Sequence, residues 1–260
     1  MTRRFALILV VLASTTSLVL AACNSAPAAP ALTDPKDILT QTVLSLKDVK
    51  SVEMTGTFTG TIQAAELGGS LDLSSTKINA AIDIEHQKAK FSVDAPSIMG
   101  TKLDALVVDG SAYLKIEGLL ATSLGMTAGK YTKTAVPQSS GESVTDAAAI
   151  AKQVDEFKTA LDKLPNPPTK GADEKCGDQD CYHVTVTLTA EDLKTLSPEA
   201  ATLPDGQFSI DIWSRKNDVR PAKIALSVTT SQIGTVGMTF EFKYDVSVSV
   251  DAPPADQIAP

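Results

Sequence analysis

From Val236 to Val250 the chain places an apolar residue at every second position: Val236, Met238, Phe240, Phe242, Tyr244, Val246, Val248 and Val250. Successive side chains of a β-strand point to opposite faces, so this pattern predicts an extended segment with one dry face and one wet face. The segment runs to about 15 residues, or roughly 50 Å at the usual rise. Strands of compact sandwiches are commonly about 3–10 residues long. A strand of this length therefore calls for one large, curved sheet.

The same period recurs along the chain. Val52, Met54, Gly56, Phe58, Gly60 and Ile62 alternate with threonine and glutamate. Alternation follows in Ile78, Ala80, Ile82 and Ile84, in Phe91 and Val93, and in Leu103, Ala105 and Val107. Asp109-Gly110, between Val108 and Ala112-Tyr113-Leu114, is a strong signal for a two-residue hairpin. Tyr182, Val184, Val186 and Leu188, then Phe208, Ile210 and Ile212, then Ile224, Leu226 and Val228, continue the pattern.

Helical spacing appears in three places. Asp34-Pro35, an N-cap and first-turn pair, precedes Ile38, Leu39, Thr42, Val43 and Leu46 and predicts a helix over 35–48. Ile150, Val154, Phe157, Leu161 and Leu164 predict a second helix, stopped by Pro165. Thr189 is placed to cap a short turn at 189–193. Leu119 to Gly129 reads as a short helix or a flap, and 134–143 as a loop. Together these elements predict an α+β domain: a single large curved antiparallel sheet of about nine or ten strands, its concave apolar face covered by two or three helices.

Ahead of that domain, Arg3 and Arg4 precede an uncharged apolar run from Phe5 to Ala22, the n- and h-regions of a secretory signal. The run ends in Leu20-Ala21-Ala22-Cys23, small residues for a peptidase cleft followed by a thiol that can accept diacylglycerol. This resembles the lipobox of bacterial lipoproteins. An uncleaved membrane anchor, the alternative, would need nearly the whole run to cross a bilayer. The expected organisation is a signal peptide over 1–22, a flexible tether over 23–33, one domain over 34–252 and a disordered tail over 253–260. The protein would then sit on the extracytoplasmic face of the cell membrane, anchored through a lipidated Cys23 carrying palmitate or a similar acyl chain. Loss of Arg3 and Arg4 moves the formal charge from −8 to −10, which disfavours nucleic acid as a partner.

Cys176 and Cys181 are the other two cysteines. Outside the cytoplasm they are expected to form a disulfide; a zinc site would need two more ligands, and only His183 is near. The acidic stretch from Asp173 to Asp180 lacks the glycine and terminal glutamate of a calcium-binding loop and reads as a solvated turn. His86 and His183, the two histidines, read as solvated surface residues. With no nucleophile elbow, zinc-protease helix or phosphate loop, no enzymatic activity, metal or cofactor is expected.

The apolar side of the sheet admits two readings. Met54, Phe58, Ile82, Ile84, Phe91, Val93, Phe240 and Phe242 either pack solidly against Val154 and Phe157, or line a cavity for acyl chains with them. Gly56 and Gly60, on the apolar parity, favour the cavity by omitting side chains. A solid core would go with a structural or adhesive surface lipoprotein that holds no ligand.

The order of lipobox, tether, helix, β run, mid-chain helix and terminal meander resembles the LppX/LprG lipoproteins, which share the fold of the carriers LolA and LolB. Local echoes lie in Asp211-Ile-Trp213 to Ile224 and in Phe242-Lys-Tyr244-Asp-Val246-Ser-Val248. The resemblance implies a half-barrel around a hydrophobic cavity with helices as a lid. It also implies a monomeric protein that binds lipids or lipidated molecules and moves them through the cell envelope. Replacing Cys23 by Ser is expected to abolish incorporation of labelled palmitate and to release the protein from the membrane fraction, read by autoradiography and fractionation.

Overall fold

A computed structural model describes residues 31–64, 69–135, 147–196, 205–231 and 234–259. The thirteen strands are β1 (Ser51–Ala64), β2 (Gly69–Asp72), β3 (Lys77–Asp83), β4 (Lys88–Ala95), β5 (Thr101–Val108), β6 (Ser111–Glu117), β7 (Thr132–Ala135), β8 (Thr169–Lys170), β9 (Glu174–Cys176), β10 (Gln179–Thr189), β11 (Gly206–Arg215), β12 (Pro221–Thr230) and β13 (Gly234–Tyr244). The helices are α1 (Pro35–Leu44), α2 (Leu119–Ser123), α3 (Ala147–Asp162) and α4 (Ala190–Leu196). Residues 33–260 form one compact unit. Cys23 and the segment around it lie outside the described residues.

The strands form one open, curved sheet in the order β7-β6-β5-β4-β3-β1-β13-β12-β11-β10-β8, with β2 beside β1 and β9 beside β10. Every paired strand is antiparallel. The expected α+β class is therefore observed. Four short strands, β2, β7, β8 and β9, raise the count above the nine or ten expected, because pieces of two to four residues carry too little alternation to read. At the predicted hairpin, Asp109 and Gly110 both adopt positive φ (48° and 68°), which the twist of a two-residue turn demands.

Helix α1 starts as expected: the Asp34 side chain accepts hydrogen bonds from the N–H groups of Lys36 and Asp37. It ends at Leu44, four residues short of the predicted end. The Ser45 hydroxyl donates to the Thr42 carbonyl at 2.7 Å, and Leu46 and Lys47 bond three residues back instead of four. The chain thus tightens into turns before β1. At α4 the capping is reciprocal, with Thr189 N–H donating to the Asp192 carboxylate and Asp192 N–H to the Thr189 hydroxyl. Among the described residues no helix is long and apolar enough to cross a membrane.

The terminal strand is shorter than predicted. β13 stops at Tyr244, where Asp245 takes a positive φ of 54°. Its carboxylate is held by Arg220 and by the Lys50 N–H at 3.1 Å, and its own N–H donates to the Ser51 carbonyl. Val246, Val248 and Val250 then leave the sheet edge-on and cross its opposite face. Val250 is buried there with Leu106, Val108 and Tyr113, and Val248, Tyr131 and Ile258 pack around them. The alternation was real, but an extended chain with one dry side does not specify which face of the sheet dries it.

The tail expected to be disordered from 253 onward is instead tied down. A 3₁₀ turn spans Ala255–Gln257, and Tyr131 N–H donates to the Gln257 carbonyl while Ala259 N–H donates to that of Tyr131. The Arg220 side chain, then the Lys50 N–H, hold the Asp245 carboxyl below its ordinary value of 3.8. A depressed folded-state value contributes stability that is complete above the ordinary range and disappears as pH falls through it. The protein is therefore expected to melt above its Asp245→Asn variant at neutral pH, and this Tm gap should close as pH falls below about 3.8.

Candidate functional site

Register builds the site. Reading across nine strands from β10 to β6, the residues directly opposite one another are Val184, Ile212, Ile224, Phe240, Gly56, Ile78, Val93, Leu103 and Ile116. Two parallel rows flank this one. Val186, Ile210, Leu226, Met238 and Phe58 form the first, and Phe242, Met54, Ala80, Phe91, Ala105 and Leu114 the second. One face of the sheet is thus apolar from end to end.

Helix α1 covers the β10 end of this face. Ile38, Leu39 and Val43 are buried, and the Thr42 hydroxyl meets that of Ser214 at 2.6 Å. Both hydroxyls lie out of water, and Thr42 can also donate to the Ile38 carbonyl, so the contact orients the helix on the sheet. Lys36 of α1 pairs with Asp162 of α3, and Lys47, in the turn after α1, with Asp155 of α3.

Cover is uneven along the row. Val184 and Ile212, at 0% and 6% exposure, and Ile116, at 5%, are sealed at its two ends. Between them Ile224, Phe240, Ile78, Val93 and Leu103 are only half-buried, as are Phe58, Met238, Leu226 and Ile210 in the next row. The apolar face is a trough closed at its ends and incompletely covered along its middle.

The residues expected on this face separate into two groups. Met54, Phe58, Ile82, Phe91, Val93, Phe240 and Phe242 lie on it by register, and all are half-buried. Ile84 lies just past β3, half-buried, its N–H bonded to the Lys50 carbonyl. Val154 and Phe157 belong to α3, but their side chains lie outside the described residues. The two glycines do not open space. A Cβ on Gly56 would come within 2.9 Å of the Phe240 ring, which already fills that position. Gly60 has a φ of +98°, and a Cβ there would meet the Thr235 carbonyl at 2.3 Å. It kinks β1 where pairing passes from β13 to β2.

Opposite, the sheet is polar. Clefts of about 640 and 480 Å³ are lined there by Glu53, Thr55, Lys223, Glu241 and Lys243 and by Asn79, Lys90 and Ser92, respectively, with Glu53 and Thr55 shared. His183, expected to be solvated, is half-buried on this face. Its ring stacks on Trp213 with centroids 4.4 Å apart. Nε2 lies 2.9 Å from Asp211 and Nδ1 3.2 Å from Glu174, while the Lys223 ammonium sits 3.6 Å from the Trp213 ring centroid. Partial burial pushes the Asp211 carboxyl up, but hydrogen bonds from Thr185 and His183 more than offset it and leave it lowered. The sequence marked His183 as solvated; only the cross-strand register brings it together with Trp213 and Lys223.

His86 does match its expectation, exposed at a turn with Nδ1 2.8 Å from Asp83. Cys176 and Cys181 are disulfide-bonded across the β9–β10 hairpin, Cα atoms 6.0 Å apart. The acidic stretch beside them is paired with cations: Asp173 with Lys170 and Lys216, and Asp180 with Lys175. No group of three or more His, Cys, Asp or Glu among the described residues is arranged to hold a metal.

An open antiparallel sheet with one continuous apolar face, carrying short helices at both ends, defines the structural class. No protein-family model matches the chain, and no curated protein does. Among solved structures the chain is similar to LprF from Mycobacterium bovis, at 16% identity over 84% of this chain and 96% of that one, with a TM-score of 0.49. It is also similar to the lipoprotein LppX of Mycobacterium tuberculosis, at 13% identity over 84% and 98%, with a TM-score of 0.48. A third is the MucA/MucB complex of Pseudomonas aeruginosa, at 9% identity over 88% of this chain and 61% of that chain, with a TM-score of 0.40. LprF and LppX bear names of the lipoprotein group that the sequence resembles.

The uneven cover has a thermodynamic consequence. Val184→Ala should cost about 2–3 kcal/mol, as for a sealed core position. Phe58→Ala, although it removes a larger side chain, should cost about 1–2 kcal/mol, against about 3–5 for a fully buried phenylalanine. Urea unfolding of the two variants measures both.

Proposed function

We propose that the protein is a cell-envelope lipoprotein that binds a lipid or lipidated molecule along the helix-bearing apolar face of its sheet and carries it between membrane surfaces. The half-buried middle of the apolar row carries this reading. A protein that needed the face only as its core would gain by closing it completely, since each apolar Å² left wet forgoes about 25 cal/mol. Left open, the same surface can take an acyl chain at about 0.8 kcal/mol per buried methylene. The rows run along and across strands with no charged side chain among them, which suits a long, unbranched, non-polar ligand.

The anchor complements the trough. Cys23, lipidated after cleavage of residues 1–22, would hold the domain on the extracytoplasmic face of a membrane, where such ligands reside. The domain acts by binding and releasing, without covalent chemistry. The His183 cluster offers no nucleophile: both ring nitrogens face carboxylates, and the hydroxyl of Thr185 donates to Asp211.

Native mass spectrometry of the protein purified from its host is expected to show a copurifying lipid, removed by denaturation. Leu226→Trp, which adds bulk in the half-buried middle row, should lower the bound fraction at least about threefold while leaving the far-UV spectrum unchanged. Protein that is free of lipid in every preparation would contradict the proposal.

A further inference from the structure

The large apolar side chains that stand exposed among the described residues are Ile98, Met99, Leu114, Leu119, Leu120 and Leu124. Five of them lie on two abutting loops at one end of the sheet. Ile98 and Met99 form the β4–β5 turn, and Leu119, Leu120 and Leu124 belong to α2 and its C-cap. The loops touch backbone to backbone: a Cβ on Gly118 would stand 2.8 Å from the Gly100 carbonyl oxygen and 2.9 Å from that of Met99. Leu114 stands apart from them, on the apolar face of β6 beyond the buried Ile116.

These side chains do not owe their exposure to a loose backbone. Ile98 N–H donates to the Ala95 carbonyl, Leu124 N–H to that of Leu120 and Met126 N–H to that of Ala121. Ala121 is fully buried, while Leu119 and Leu124 are 67% and 58% exposed. Helix α2 is thus seated on its smallest side chain and turns its leucines outward. Contiguous apolar surface of this kind on a folded chain marks an interaction site.

Charge distinguishes the partner. The protein carries 31 acidic residues against 23 basic, yet residues 95–101 and 118–130 contain no carboxylate; Lys102, just behind the turn, stands in register between Asp94 and Glu117, and the Lys130 ammonium donates to the Asp256 carbonyl. Leucine, isoleucine and methionine beside threonine and glycine, with no carboxylate among them, suit a bilayer interface, where apolar side chains enter the acyl boundary. A second copy of this acidic chain would gain from the apolar residues but not from sparing the tip its carboxylates. The stretch from Asn24 to Leu32 extends at most about 30–35 Å, so an anchor at Cys23 keeps the domain within reach of the surface and raises its effective concentration there.

We infer that the tip formed by the β4–β5 turn and α2 docks into the outer surface of the membrane that holds the anchor. The inference rests on the anchored-lipoprotein reading for its membrane, but not on occupancy of the trough by lipid.

Flotation of the chain from Asn24 onward, which contains the whole compact unit and no lipidation site, with phosphatidylcholine–phosphatidylglycerol vesicles tests it. The protein is expected to float with the vesicles, and Leu119→Ser/Leu124→Ser to bind at least about tenfold more weakly with an unchanged unfolding midpoint. An environment-sensitive fluorophore on Leu119→Cys should shift to the blue when vesicles are added. The same label on Glu85→Cys, in the β3–β4 turn at the far end of the strands, should not. Equal binding by the double variant, an unshifted Leu119→Cys label, or lipid-independent self-association that the double variant abolishes would each overturn the proposal. Native mass spectra of the same samples separate the two ideas. Copurified lipid without vesicle binding sinks the docking tip alone; vesicle binding without copurified lipid supports the tip and sinks the trough.

Discussion

Pairing between β1 and β13 unites the fold. Nine residue pairs, from Val52–Tyr244 to Gly60–Val236, place the first long strand against the last at the middle of the sheet. On one side β3 to β7 continue as a meander from β1; on the other β12, β11 and β10 continue from β13. Each half can form from neighbours in sequence, but the central seam must close a loop of most of the domain. Closure entropy rises only slowly with length, so this seam costs little more than a shorter one. It joins the two half-faces into one apolar surface. Gly56 makes the join possible at its centre, because only a residue without a side chain leaves room for the Phe240 ring beside Ile78.

Much of this architecture was readable before any coordinates. Alternation located eight of the thirteen strands, the Asp109-Gly110 hairpin a ninth, and Asp34 and Thr189 marked helix starts for definite stereochemical reasons. Alternation also placed Met54, Phe58, Ile82, Phe91, Val93, Phe240 and Phe242 on a common face. It could not tell where β13 ends. Val246, Val248 and Val250 keep the parity of the strand, and only the left-handed turn at Asp245, held by Arg220, sends them to the other face. His183 was misread for a related cause. Its position on the wet parity was visible, but the stack on Trp213 and the contacts with Asp211 and Glu174 depend on cross-strand neighbours that no single strand reveals.

The two faces contribute unequally to stability. On the polar face, directly opposed charges and aromatics, the crossing segment from Val246 to Ile258 and the Cys176–Cys181 staple fix the sheet from outside. With the crossing strap burying Val250 against Leu106, Val108 and Tyr113, this face supplies a small core of its own. The helix-bearing face need not then be sealed throughout. Its ends are closed by α1 against Val184 and Ile212 and by the buried Ile116, while the middle stays half-covered without leaving the sheet unsupported.

An open apolar trough in water is a liability unless something regularly occupies or shields it. The proposed membrane setting would supply both. The side of the face nearest the tip carries Ala95, Val93, Leu103 and the buried Ile116, a few residues from the β4–β5 turn and α2, so apolar residues lead from the tip toward the half-buried rows. If the tip rests in the membrane surface, an acyl chain leaving the bilayer can pass from hydrocarbon to protein while exposing little of itself to water. At about 0.8 kcal/mol per methylene, even four or five methylenes exposed in transit would add roughly 3–4 kcal/mol to the barrier. An apolar path of this kind would lower that term for uptake and release alike, which is the property the proposed carrier needs and a mere lipid store does not.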